Sequence, residues 1–204
     1  PWDDDLDISM MAEDKEKLFE IFEKEEEFVI EEVYWSDGLL LRCPRIRYKD
    51  ESKNGCIDIF LWERADNEPT GDRELWAKRQ KYVQMKEQAF QKLKPSLHKT
   101  LFAGEPITDL HDKELIDKLF NDIYKQQRQE CQKSGNTIYG QIDMWFEAGR
   151  WVGVYAKEDM LPFTTMKFET LDMPLPNHYD KFLTAQYGDW LALPSKVSPK
   201  HTRF

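Results

Sequence analysis

The residues best equipped for chemistry open the chain. Pro1-Trp2-Asp3-Asp4-Asp5-Leu6-Asp7-Ile8 sets four carboxylates beside a hydrophobic alternation. In an extended strand successive side chains point to opposite faces, so Asp5 and Asp7 share one face while Leu6 and Ile8 share the other and can enter a core. Two like charges about 4 Å apart repel by roughly 1 kcal/mol in water and by several in a partly buried site, so the pair calls for a cation or for one raised pKa. Carboxylate oxygens are hard ligands and favour Mg²⁺, Mn²⁺ or Ca²⁺. The alternative reading of such a run is an acidic, solvated terminus.

A third carboxylate is sought in the same way. Asp58 lies between Ile57 and Ile59 in the apolar run Cys56-Ile57-Asp58-Ile59-Phe60-Leu61-Trp62, where a buried charge is costly unless something pairs with it. It either faces water at a sheet edge or faces Asp5 and Asp7. Asp143, between Ile142 and Met144, competes for that role.

The elements that must position these groups follow from periodicity. Glu13 to Glu26, with Leu18, Phe19, Ile21 and Phe22 on one stripe, has helix spacing, so the acidic strand runs directly into a helix. Phe28–Trp35 and Leu39–Tyr48, split by Ser36-Asp37-Gly38, read as a hairpin whose second strand Pro44 weakens or places at an edge. Asn54-Gly55 opens the Asp58 strand, and a polar loop follows from Ala65 to Asp72. Arg73–Leu93, stopped by Pro95, and Asp112–Lys133 read as two long amphipathic helices; Lys94 to His111 between them reads as an irregular connector or a lid. Thr137–Tyr155 suggests short strands, Phe163–Met173 another hairpin and Asn177–Gly188 a helix. The tail after Pro194 reads as basic and loosely ordered.

Composition narrows the partners. The 204 residues suffice for one well-buried domain or a main domain with a small appendage. A net charge of −10 argues against a nucleic-acid backbone, so an anionic substrate must be met locally by a metal or a few basic residues. No apolar run has the length of a membrane span and no signal peptide opens the chain. Cys43, Cys56 and Cys131 show neither a disulfide framework nor zinc spacing, which points to a reducing cytoplasm. The chain opens on Pro1 in the middle of a strand approach, from which we expect further residues upstream.

The opening octapeptide with its following helix resembles the acidic motif of the LicD phosphotransferase family, relatives of fukutin and of bacterial phosphocholine transferases. Cys56-Ile57-Asp58-Ile59-Phe60 is similar to the family's later Asp-bearing strand, and Arg45-Ile46-Arg47 to its basic strand just upstream. Met173-Pro174-Leu175-Pro176, Tyr179-Asp180, Tyr187-Gly188-Asp189-Trp190 and Leu193-Pro194 resemble its closing pattern. The resemblance implies an α+β, nucleotidyltransferase-like fold, a mixed β-sheet flanked by helices. It would be a single catalytic domain with a metal-binding sheet core over 1–62, a helical part over 73–133, and C-terminal strands, helix and tail over 134–204. Family members carry a glycine-containing strand-turn-helix and a basic segment ahead of the motif, and nothing here matches them. The N-terminal part of the fold is therefore expected to be missing from this chain.

By the same resemblance Asp5, Asp7 and Asp58 bind Mg²⁺ or Mn²⁺. The reaction implied moves a substituted phosphate, such as phosphocholine from CDP-choline, onto a hydroxyl of a cell-surface glycan, with Asp58 accepting the hydroxyl proton. Arg47 and Arg45 are the expected phosphate ligands, the alternative for Arg47 being a strand-surface salt bridge. A choline group would need an aromatic box, for which Trp145, Trp151 and Tyr155 are the candidates against a core-packing alternative. Lys200 and His201 are candidates to close over the site. The rival readings are a ribitol- or glycerol-phosphate transferase, with a CDP-polyol as donor, and a non-catalytic glycan- or partner-binding module without a complete donor site. The expected location is the cytoplasm, with the inner face of the membrane as an alternative station.

Overall fold

The computed structural model describes residues 6–36, 40–65, 72–103, 107–129, 137–139, 146–147, 150–151 and 154–192. The acidic strand forms as β1 (Leu6–Met11), and a tight turn at Ala12–Asp14 leads into helix α1 (Lys15–Phe22). The hairpin follows as β2 (Phe28–Ser36) and β3 (Leu40–Tyr48), then β4 (Cys56–Ala65). Gly55 turns into β4 with φ +113°, a conformation that glycine adopts without strain.

The main sheet runs β2, β3, β4, β5 (Thr137–Tyr139), β8 (Val154–Ala156), with β1 alongside β4. The sheet is mixed, because β1 pairs with β4 in parallel while the β2–β3, β3–β4 and β4–β5 pairs are antiparallel. β3 is thus interior, against the edge position that Pro44 suggests. The reason is local: β3 pairs with β4 only from Arg45 to Arg47, so Pro44 lies just outside that ladder and its missing N–H leaves no rung empty there.

One sheet face is apolar. Ile8, Met10, Ile30, Ile46, Ile59 and Leu61 pack there beneath Leu18 of α1. Farther along the same face sits the helical layer, α2 (Asp72–Gln91), α3 (Pro95–Ala103) and α4 (Leu110–Gln129). Tyr34 joins Phe90, Leu93, Leu97, Leu101, Ile116 and Phe120 in its core. The stretch read as a connector therefore contains a helix. Pro95 ends α2 but opens α3, since the first helical position needs no N–H donor, and Leu97 and Leu101, one turn apart, bury the same stripe. Helix α1 is shorter than its periodicity suggests, and Ile21 lies 66 % exposed.

Asp109 caps α4, its carboxylate accepting from the backbone N–H of Asp112 at 2.8 Å. Replacing Asp109 with alanine is expected to lower stability by about 1 kcal/mol, read as an earlier midpoint in urea.

The C-terminal part adds a two-stranded ribbon, β6 (Phe146–Glu147) with β7 (Arg150–Trp151), and a short helix α5 (Lys157–Met160). A hairpin of β9 (Thr164–Phe168) and β10 (Leu171–Leu175) and helix α6 (Tyr179–Tyr187) complete it. Phe182 of α6 packs with Met11, Trp62, Tyr155 and Met160. Among the described residues no helix is long and apolar enough to cross a membrane.

Candidate active site

Strand pairing brings four charged residues into one row. Asp7 lies opposite Asp58 across β1 and β4, Asp58 opposite Arg45 across β4 and β3, and Arg45 opposite Glu31 across β3 and β2. Residues in register share a face, so the row Glu31, Arg45, Asp58, Asp7 crosses the sheet opposite the isoleucines. The alternation that sends Ile8 and Ile59 into the core under α1 is what turns Asp7 and Asp58 the other way. Asp7 is exposed and Asp58 half-buried.

The ion pairs in the row are close. Arg45 holds Asp58 bidentately, Nε donating to Oδ1 at 2.6 Å and Nη2 to Oδ2 at 2.8 Å. Arg47 grips Glu31 in the same manner, at 2.6 and 3.3 Å, and donates to the Tyr48 carbonyl at 3.0 Å. Hydrogen bonding to Asp58, with its charge, outweighs burial and holds the Arg45 guanidinium above the ordinary arginine range. Cys43, two residues before Arg45, is fully buried; burial pushes its thiol up, and the Asp58 charge adds to the effect. Cys43 is therefore a packed apolar group and no nucleophile.

Among the described residues no three His, Cys, Asp or Glu side chains cluster as a complete metal cage. The donor types nonetheless suit a hard divalent ion: Asp7 and Asp58 are adjacent carboxylates on one face, and Asp5, two residues before Asp7, lies outside the described residues. Both Asp58 oxygens already accept from Arg45.

The expected aromatic box fares differently. Trp145 lies outside the described residues, as do Asp143, Lys200 and His201, and Trp151 is placed as a backbone position in β7 opposite Phe146. Tyr155 is buried. Its ring stacks on Trp62 with centroids 5.5 Å apart and planes 7° from parallel, and Phe182 lies 4.9 Å away. Tyr155 thus joins the core, because β5 and β8 carry it over the end of β4 where Trp62 needs covering.

A second polar cluster, away from the row, escapes the sequence reading. A cavity of about 820 Å³ is lined in part by Lys15, Glu32, Arg42, Arg64, Asp117 and Tyr124, and none of Asp7, Arg45 and Asp58 lines it. Several of its charges are matched among themselves. Lys15 and Arg42 both pair with Glu32, Arg42 donates to Asn121 at 2.8 Å, Arg64 meets Glu13 at 3.1 Å, and the Tyr34 hydroxyl donates to Asp117. The signal was present: Glu32 and Arg42 are charges in apolar strand runs, the same pattern that singles out Asp58.

No curated protein and no solved structure matches the chain. A family model described as LicD/FKTN/FKRP, nucleotidyltransferase domain, matches residues 1–107, which takes in the acidic strand, the arginines of β3 and Asp58; the resembling C-terminal blocks lie beyond the matched residues. That match covers more than half of the chain, the mixed sheet flanked by helices accords with it, and the chain belongs to the LicD family, one of phosphotransferase-type function in glycan modification.

Proposed function

We propose that the chain is a metal-dependent transferase that moves a substituted phosphate, phosphocholine from CDP-choline first among the candidates, onto a glycan hydroxyl. The observation that supports this reading is the register of Asp7 with Asp58 on adjacent parallel strands. With Asp5 ahead of them these carboxylates would hold Mg²⁺ or Mn²⁺, which when bound supplies positive charge against the donor diphosphate. Asp58 is the residue to accept the proton of the attacking hydroxyl. Arg47, and with it Arg45, offers guanidinium donors to phosphate oxygens. A guanidinium carries five N–H donors, and Asp58 takes two of those of Arg45.

The packing of Tyr155 favours a second donor class, since it takes one ring out of the proposed choline box. Ribitol or glycerol phosphate needs hydroxyl recognition and no cation–π cage.

Isothermal titration with CDP-choline, CDP-ribitol and CDP-glycerol, each with and without Mn²⁺, tests both readings. Donor binding is expected to need Mn²⁺ and to disappear in Asp7→Ala. Glycan binding that ignores both metal and Asp7, with no donor bound, would mark a binding module instead.

A further inference from the structure

The Arg45–Asp58 pair stands where the proposed reaction wants a carboxylate open to a divalent ion. Its geometry is the strong one: a fork of two parallel N–H donors at 2.6 and 2.8 Å onto a half-buried carboxylate. Asp7 and Asp58 are in-register carboxylates on neighbouring strands, so the guanidinium offsets a repulsion that the sheet itself creates. The carboxylate keeps lone pairs beyond those the fork uses, so an incoming ion is not blocked sterically. It is opposed by charge, because a dication and a guanidinium on one carboxylate repel each other at contact range. A second carboxylate lies within reach of Arg45. Glu31 is its register partner on the opposite strand, with the two directly opposed side chains about 5 Å apart at Cβ; Arg47 already holds Glu31, whose oxygens keep lone pairs for a second guanidinium.

We propose that Arg45 is the resident counter-cation of this site, a positioning residue that holds Asp58 while no metal is bound, opposes the divalent ion for it, and turns toward Glu31 when the ion takes Asp58. The inference rests on the function proposed above in one respect, that Asp7 and Asp58 take a divalent ion. It adds a reason for an arginine at this place that phosphate binding alone does not give. Arg45 sets how tightly the ion is held before any donor arrives.

The test is the affinity for Mn²⁺ alone, by isothermal titration of the full chain, in wild type, Arg45→Gln, Arg45→Lys and Arg47→Gln. Arg45→Gln is expected to bind Mn²⁺ at least about tenfold more tightly than wild type, since the competing charge and both its hydrogen bonds are gone. Arg45→Lys, which keeps the charge but loses the fork, is expected in between, and it covers the case in which the glutamine variant does not fold. Arg47→Gln removes a charge of the same sign from the same face and leaves Arg45 in place on Asp58, but it also frees Glu31 as the second partner of Arg45, so a tightening of less than about threefold is expected. Arg45→Gln should also melt earlier than wild type in EDTA and recover more with Mn²⁺ than wild type gains.

Equal tightening by the two glutamine variants would reduce the effect to general surface charge and overturn the proposal. Unchanged or weaker Mn²⁺ binding in both Arg45 variants, with wild type binding the ion, would overturn it while leaving the proposed function standing. No Mn²⁺ binding by any of the four proteins would overturn both.

Discussion

Changing Asp58 to asparagine is expected to lower transferase turnover by roughly 10²–10⁴-fold, the range for losing a positioned acid–base group. The substitution keeps the shape of the side chain and removes its charge. An amide oxygen is a weaker ligand for a hard cation than a carboxylate, and an amide does not take a proton at neutral pH. Asp58 lies between Arg45 and Asp7, so the change also touches both neighbours in the row. Arg45 keeps hydrogen-bonding partners for some of its donors but loses the matching charge, and the pair is about four-fifths buried on the Asp58 side. Because Arg45 is itself about a third exposed, solvent screens much of the loss, and a stability decrease of about 1–2 kcal/mol is expected. The two effects separate in the measurements: turnover with saturating donor and Mn²⁺ reports the chemistry, and the urea midpoint reports the fold.

Lys86 of α2 gives the largest expected stability gain. It is fully buried, its Nζ 4.9 Å from the centre of the Phe120 ring, with Arg42 close enough to repel it. Burial first, then the Arg42 charge, push its ammonium down to about 7. In the unfolded chain a lysine titrates near 10.4. Below about pH 7 the group is protonated in both states and the folded protein carries it as a buried ammonium. Between about pH 7 and 10.5 the unfolded chain binds more protons than the folded one, so this group makes stability rise with pH, and above that window the cost is gone. The ring face offsets part of the cost while the charge is present. Lys86→Met, of similar length and uncharged, is expected to stabilise the protein by about 2–4 kcal/mol at pH 6 and to flatten the rise toward pH 10. Urea titrations of both proteins at pH 6 and 9.5 check it; a gain that is the same at the two values would show that packing and not charge is responsible.

Local features were legible in the sequence, and their partners across the chain were not. The alternation at Leu6-Asp7-Ile8 and Ile57-Asp58-Ile59 places the two carboxylates on the face away from the isoleucines without any knowledge of pairing. That Arg45 lies opposite Asp58 depends on register, which turn geometry and the length of the Asp50–Gly55 segment set, and no periodicity records it. The strand sequence offers Arg45 and Arg47 as phosphate ligands, with a strand-surface salt bridge as the alternative for Arg47; which carboxylates they engage depends on register. For Tyr155 the sequence leaves a binding ring and core packing both open, because aromatic spacing carries no information on burial; the structure gives packing on Trp62, on a strand far away in the chain. Pro95 was read as a breaker and is also a starter, since proline's missing donor costs nothing at a first helical position. The buried charges of Glu32 and Arg42 compensate each other, and Lys86 is buried beside them, within a tertiary layer that composition does not show.

Strand β4 has three different strands laid against it in turn: β3 at Cys56–Asp58, β1 at Ile57–Trp62 and β5 at Glu63–Ala65. Its partners come from segments on both sides of it, the last of them beyond the whole helical layer. Asp7 and Asp58 themselves lie about fifty positions apart, so their meeting awaits closure of a loop holding α1 and the entire β2–β3 hairpin. Such non-local pairings are entropically expensive to assemble and slow to form. The proposed ion site is therefore not assembled in a nascent chain until the hairpin has docked, and binding of Mn²⁺, were it measured, would report on completed topology as much as on the carboxylates themselves.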